Sequence, residues 1–380
     1  MIIHSKLPHI STTIFTRMSQ LALEAGAINL GQGFPGFESD PALFALVNKY
    51  MSKGFNQYAP MSGVADLNKR ISEKIEKLYG CNYSPITEVT ITAGATQAIF
   101  TAITAFVHDE DEVILFAPAY DCYSPAIEVN GGRPVWVNLH YPDYKVNWDE
   151  VKKLVNHRTR MIIINSPHNP CGACFGKSDM LELQKIVSGT DIIVLSDEVY
   201  EHMVFDGQQH ESVCRYPTLR ERSLAVYSFG KTFHNTGWKM GYIVGPELMM
   251  REFRKVHQFN VFSCNTPIQH ALAEYMEDEN TYLGLSEFYQ KKRDFFLSAI
   301  SSSRFMLKPS SGTYFQVLSY QNISNEKDTD LAIRLTQENK IASIPCSVFY
   351  PEHLDERTLR FCFAKDESTL TQAAELLCRI

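Results

Sequence analysis

The stretch DIIVLSDEVY, Asp191 to Tyr200, decides the fold. Its short apolar run is rich in β-branched residues and closes on a serine and two carboxylates. Such a run suits a strand buried on both faces. Asp197, placed directly after it, is costly to bury unless it meets a cation.

The same pattern recurs on both sides of this stretch. EVTITAG (88–94) runs into the helical ATQAIFTAITAFV (95–107), and DEVILFAPAY (111–120) and RPVWVNL (133–139) follow. RMIIINSPHNP (160–170) precedes a helical pattern around Met180 to Val187, and SLAVYSFGK (223–231) comes after Tyr200. Strand-like runs alternating with helices predict an α/β fold with a mostly parallel sheet covered on both faces. Function is then expected at the carboxyl ends of the strands. Beyond FSCNTPIQHALAEYM (262–276) the texture changes. Long helical patterns lead to the strand-like SGTYFQVL (311–318), a helix near Leu331 to Asn339 and TLRFCFAKDESTLTQAAELL (358–377), which together predict a second, smaller α+β unit.

Composition narrows the function. A chain of 380 residues with 44% apolar and 12% aromatic content can bury large cores, and its length suits about two domains. A net charge of -7 without a run of five like charges gives no footprint for nucleic acid. The N-terminal MIIHSKLPHISTT lacks the continuous apolar segment of an export signal, and Thr90 to Val107 is too interrupted by polar residues to span a membrane. A cytoplasmic protein without a membrane partner is expected. Nine scattered cysteines suit reduced thiols. Cys171 and Cys174 have CxxC spacing, but no second pair accompanies them, so no metal site is expected.

Each apolar run ends in distinctive residues: Gly94 to Thr96, Tyr120, Asn169, Asp197 with Tyr200, and Ser228 with Lys231. Taken singly, each has an ordinary reading as a turn, a cap, packing or a solvated lysine; their joint order on successive strand ends argues otherwise. A lysine at a strand tip loses its proton when desolvated and can attack a carbonyl to form a Schiff base. A pyridinium ring between Lys231 and Asp197 would satisfy both residues, which is the demand of pyridoxal 5'-phosphate.

With these residues in place, the chain resembles the class I pyridoxal-phosphate aminotransferases of the aspartate-aminotransferase-type fold (fold type I). Within them it is most similar to the kynurenine/glutamine-phenylpyruvate and bacterial methionine aminotransferase branch. The likeness runs through TTIF (12–15), INLGQGFPGF (28–37), NQYAPMSG (56–63), PAYDCYSP (118–125), NSPHNPCG (165–172), SDEVYEH (196–202), SFGKTFHNTGWKMGY (228–242) and LRFCFAKDE (359–367).

The resemblance implies a large cofactor-binding domain over 41–287, with 1–40 and 288–380 forming an N-terminal arm and a small domain. It makes Lys231 the Schiff-base lysine and proton shuttle, with Asp197 holding the ring nitrogen protonated. Asn169 and Tyr200 would meet the phenolic oxygen, and Tyr120 would stack on the ring. Backbone amides of Ala95 and Thr96, with Ser228 and Lys239, would cradle the phosphate. Many relatives carry an arginine where this chain has Lys239; the kynurenine-type branch shares the lysine. Tyr58 would reach the phosphate of the other subunit in a homodimer. Arg360 would grip the substrate carboxylate bidentately. Gly33 lies in GQGFPG, which matches GxGxxG but carries Pro35 and opens no helix, so it reads as a turn near the substrate and not a dinucleotide site.

Phe15, Tyr120 and Phe262 match the aromatic wall of the branch's substrate pocket, and Val256 to Gln290 contains no Arg or Lys to pair with a side-chain carboxylate. The resemblance therefore implies ping-pong amino transfer to a 2-oxo acid from methionine, aromatic amino acids, glutamine or kynurenine. A carbon-sulfur β-lyase is the alternative, because it would use the same residues. The complete residue set argues against a protein that keeps the fold without turnover.

Overall fold

The computed structural model describes residues 4–10 and 12–380, so the first three residues of the N-terminal stretch and Ser11 lie outside the description. In chain order the strands are β1 (Ile28–Asn29), β2 (Val89–Thr92), β3 (Glu112–Ala117), β4 (Arg133–Asn138), β5 (Thr159–Asn165), β6 (Ile193–Asp197) and β7 (Ser223–Ser228). They continue as β8 (Gly241–Val244), β9 (Met306–Leu307), β10 (Phe315–Ser319), β11 (Ile341–Ala342), β12 (Ile344–Pro345) and β13 (Thr358–Cys362).

A seven-stranded sheet runs in the order β2-β8-β7-β6-β5-β3-β4. Its strands from β3 to β7 pair in parallel, while β8 is antiparallel to both β7 and β2. Every residue of β2, β3, β6 and β8 is buried, as expected of strands in a sheet covered on both faces. Alternate side chains divide between two layers. Val113, Leu115, Met161, Ile163, Leu195 and Val226 pack with Ile99 and Phe253 of the helices Ala95–Phe106 and Glu247–Asn260. Ile114, Phe116, Ile162, Ile164 and Val194 point the other way, towards Met180 and Leu183 of Lys177–Val187 and Ile71 of Ala65–Tyr79.

A four-stranded antiparallel sheet, β12-β13-β10-β9, is formed by the C-terminal part of the chain, and β1 pairs in parallel with β11. The N-terminal segment is thus stitched onto C-terminal residues. No helix among the described residues is long and apolar enough to cross a membrane.

Two local readings shift. The strand expected over 311–318 begins only at Phe315, because Thr313 adopts a positive φ of 66° and bends the backbone ahead of it. Lys231 lies just past a strand tip: β7 ends at Ser228, and the lysine sits on the single helical turn Phe229–Thr232.

Candidate active site

At the carboxyl ends of the large sheet, Asn165 lies opposite Asp197 in the ladder, and Ser228 lies opposite Gly241. Above them opens a cavity. It is lined by Ala95, Thr96, Tyr120, Asn169, Asp197, Tyr200, Ser228, Lys231 and Lys239, together with Gly94, Asn165 and Thr236. A second cavity adjoins it and is lined by Phe15, Gln32, Gly33, Phe315 and Arg360. Tyr120, Asn169, Tyr200 and Lys231 border both.

The first cavity has a basic, amide-rich end. The helix Ala95–Phe106 starts here with Gly94 as its N-cap and no side chain bonded to its first amides. Lys239, held at a positive φ of 53°, overhangs this point: a Cβ added to Gly94 would lie 3.2 Å from the lysine Cε and 3.3 Å from its Nζ. Gly241 is equally constrained, since a Cβ there would meet the Tyr227 carbonyl oxygen at 2.7 Å and the Ala95 nitrogen at 3.1 Å. Free helix-terminal amides, a serine hydroxyl and an ammonium converge as an anion cradle.

The same cavity also holds a carboxylate. Asp197 is buried, and its Oδ2 accepts a 2.6 Å hydrogen bond from the Tyr123 hydroxyl. Its Oδ1 accepts a 3.3 Å bond from the Val199 amide. Burial pushes the Asp197 carboxyl up to about 6, against the lowering effect of Tyr123 and Val199. Lys231 shows the converse: burial brings its amine down to about 8, with Arg360 and Lys239 acting in the same direction. Its Nζ donates to the Tyr314 hydroxyl at 2.8 Å and to the Gly33 carbonyl at 3.2 Å, and Tyr314 donates to that same carbonyl at 2.6 Å. The lysine is thus aimed by two chain segments remote from its own and gives up its proton more readily than an ordinary lysine.

In the second cavity the guanidinium of Arg360 is 1% exposed. Its Nη1 donates to Asn169 Oδ1 and its Nη2 to the Gly31 carbonyl, each at 2.8 Å, while Nε has no partner among the described residues. Aromatic rings enclose it, Phe315 at 3.9 Å, Phe15 at 5.2 Å and Phe349 at 5.5 Å from the guanidinium carbon. A buried cation with neutral partners and an unused N–H is prepared to receive an anion. Gly33 is required sterically, because a Cβ would sit 2.7 Å from Phe315 Cζ.

Two expected site residues are not brought in by this chain. Tyr58 is 80% exposed and Phe262 52% exposed, outside both cavities, with their rings edge to face at 5.0 Å. Tyr123, Asn165, Tyr314 and Phe315 were not expected as site residues. Tyr123 and Asn165 sit inside the quoted motifs, but only their contacts distinguish them from packing. Tyr314 and Phe315 follow the bend at Thr313, in a stretch legible only as a strand. Cys171 and Cys174 are free thiols, with Cys171 Sγ 2.9 Å from His168 Nδ1.

The family model for aminotransferase class I and II matches residues 25–377. The chain is 47% identical over 374 residues to the methionine aminotransferase of Escherichia coli (strain K12), covering 98% of this chain and 97% of that protein. It is 33% identical to kynurenine--oxoglutarate transaminase 1 of Mus musculus, over 96% of this chain and 93% of that one. An Escherichia coli crystal structure described as having a methionine aminotransferase function superposes with a TM-score of 0.98 at 46% identity, covering 100% of both chains. Thermus thermophilus aspartate aminotransferase with maleate gives a TM-score of 0.91 at 25% identity, again over 100% of both chains.

Proposed function

The chain belongs to the class I and II aminotransferase family and has the aspartate-aminotransferase-type fold, and on that premise we propose that it binds pyridoxal 5'-phosphate and transfers the amino group of methionine to a 2-oxo acid. The observation that carries the reading is the single cavity in which an anion cradle, a lysine of lowered pKa and a buried carboxylate without a cationic hydrogen-bond partner come together. The residues fit the parts of the group. Ala95, Thr96, Ser228 and Lys239 would hold its phosphate, Asp197 its ring nitrogen, Asn169 and Tyr200 its phenolic oxygen, Tyr120 its face and Lys231 its aldehyde carbon. When bound, the cofactor supplies an electron sink for the charge left at the substrate α-carbon.

The protein's part is to bind, orient and move protons. Arg360 anchors the substrate carboxylate, with Phe315 and Phe15 excluding water around the pair. Lys231 Nζ, whose pKa burial lowers, would take the proton from the substrate α-carbon and hold it for return. Asp197 stays anionic beside the ring nitrogen through the donors on its two oxygens.

Aromatic amino acids, glutamine and kynurenine are proposed as further donors, since the second cavity is walled by rings and Arg360 is its cationic anchor. A side-chain carboxylate would remain unpaired there. Amino transfer is favoured over carbon-sulfur elimination by the transaminase activity of the named relatives. The active form is proposed to be a cytoplasmic homodimer in which Tyr58 and Phe262 of one copy complete the site of the other; their exposure in the single chain supports this reading. Light scattering on the active enzyme tests it, and a fully active monomer would overturn it. The proposed domain division, 41–287 against 1–40 with 288–380, is supported by the two sheets falling on either side of it.

The deciding experiment mixes purified enzyme with methionine alone. Conversion of the bound cofactor to its amine form, with release of the 2-oxo acid, is expected. Release of ammonia and thiol instead would favour the lyase.

A further inference from the structure

Asp197 has a partner that lies outside both cavities. Tyr123 opens the helix Tyr123–Val129, is 3% exposed, and borders neither cavity. Its hydroxyl donates to Asp197 Oδ2 at 2.6 Å, within the range of charge-assisted O–H···O bonds, while its ring meets Tyr120 edge to face at 5.8 Å. Burial drives the Tyr123 phenol well above its ordinary range, so the shared proton stays on the tyrosine and the carboxylate remains the acceptor. Among the described residues, the one other hydrogen bond to this carboxylate comes from the Val199 amide, at 3.3 Å. Of the two, the phenol is the shorter and stronger contact.

We propose that Tyr123 is a positioning residue that acts through Asp197, holding the carboxylate ionised and oriented for a protonated ring nitrogen in the cavity. The inference rests on the pyridoxal-phosphate reading of the site. A carboxylate buried in apolar surroundings takes up a proton unless hydrogen bonds favour its charged form. A neutral acid at this position would lose its attraction for a pyridinium. The competing explanation is that Tyr123 only fills the apolar layer it shares with Ala126 and Ile127.

The test separates these with two cofactors, pyridoxal phosphate and an analogue whose ring nitrogen is replaced by C–H. Dissociation constants are measured by equilibrium dialysis for the wild type, Tyr123→Phe, Asp197→Asn and the double variant. Tyr123→Phe is expected to weaken pyridoxal phosphate about 10-fold, roughly 1.4 kcal/mol, and to leave the analogue within about two-fold. In the double variant, loss of the phenol adds nothing to loss of the carboxylate charge. An equal loss with both cofactors, or fully additive losses in the double variant, would reduce Tyr123 to packing and overturn the proposal. A wild type that bound neither cofactor would instead sink the cofactor reading itself, and the proposal with it.

Discussion

The two adjoining cavities are assembled in opposite ways. The one holding Asp197 takes its polar groups from neighbouring strand ends of one sheet, so the ladder that pairs Asn165 with Asp197 and Ser228 with Gly241 also sets the spacing of the chemistry. The one holding Arg360 joins Phe15 of the helix Ile14–Ala25, the turn at Gly33 and strands β10 and β13, which lie near the two ends of the chain. A group fixed by one sheet has little freedom to differ between substrates. A group supplied where separate segments meet can tune what fits. The first cavity should therefore govern the rate with every donor, and the second should govern which donor is chosen.

The largest expected effect is that of Lys231→Ala, which removes the group common to every donor. Turnover with methionine, phenylalanine and glutamine should fall together by at least ~10³-fold, and borohydride should no longer fix the cofactor to the chain. Substantial turnover with any one donor would break the assignment of shared chemistry to the sheet edge.

A pair of variants then sets the two cavities against each other. Asp197→Ala should lower kcat by about 10²-fold with all donors, as for removal of other preorganised electrostatic partners. Arg360→Lys should act mainly on KM, by about 10-fold or more, because a point charge replaces a fork that can bind a carboxylate with two N–H groups. Steady-state kinetics with a common 2-oxo acid separates the two patterns. If both variants changed kcat alone, the division of labour would be wrong.

The smallest and most selective effect is expected at Phe15. Phe15→Ala should leave kcat for small donors nearly unchanged while lowering kcat/KM for methionine by about 10-fold, consistent with loss of ~1.4 kcal/mol of apolar burial. The ratio of methionine to aspartate kcat/KM measures it, and an unchanged ratio would remove Phe15 from the specificity wall.

The difference in legibility between the cavities has a physical cause. Asp197, Asn169, Ser228 and Ala95 each follow an apolar run closely, and a buried parallel strand can be read from such a run alone. Polar residues at its end then stand out against the cost of burying them. Tyr123 and Tyr314 gave no comparable signal, because an aromatic residue is at home in a core whether or not its hydroxyl does anything. Phe15 and Arg360 were placed by the resemblance of their surrounding motifs, since nothing in their local sequence brings a helix near the N-terminus to a strand near the C-terminus.

By itself the sequence determined the alternation of strands and helices and the carboxyl-edge location of Lys231 and Asp197, both of which follow from local pattern. Only the tertiary structure decided that Tyr123 meets Asp197, that Tyr314 and the Gly33 carbonyl aim Lys231, and that three rings and Asn169 surround Arg360. Those contacts join segments far apart in the chain. A hydrogen bond between such segments depends on how whole layers pack, and no periodicity within either segment encodes it.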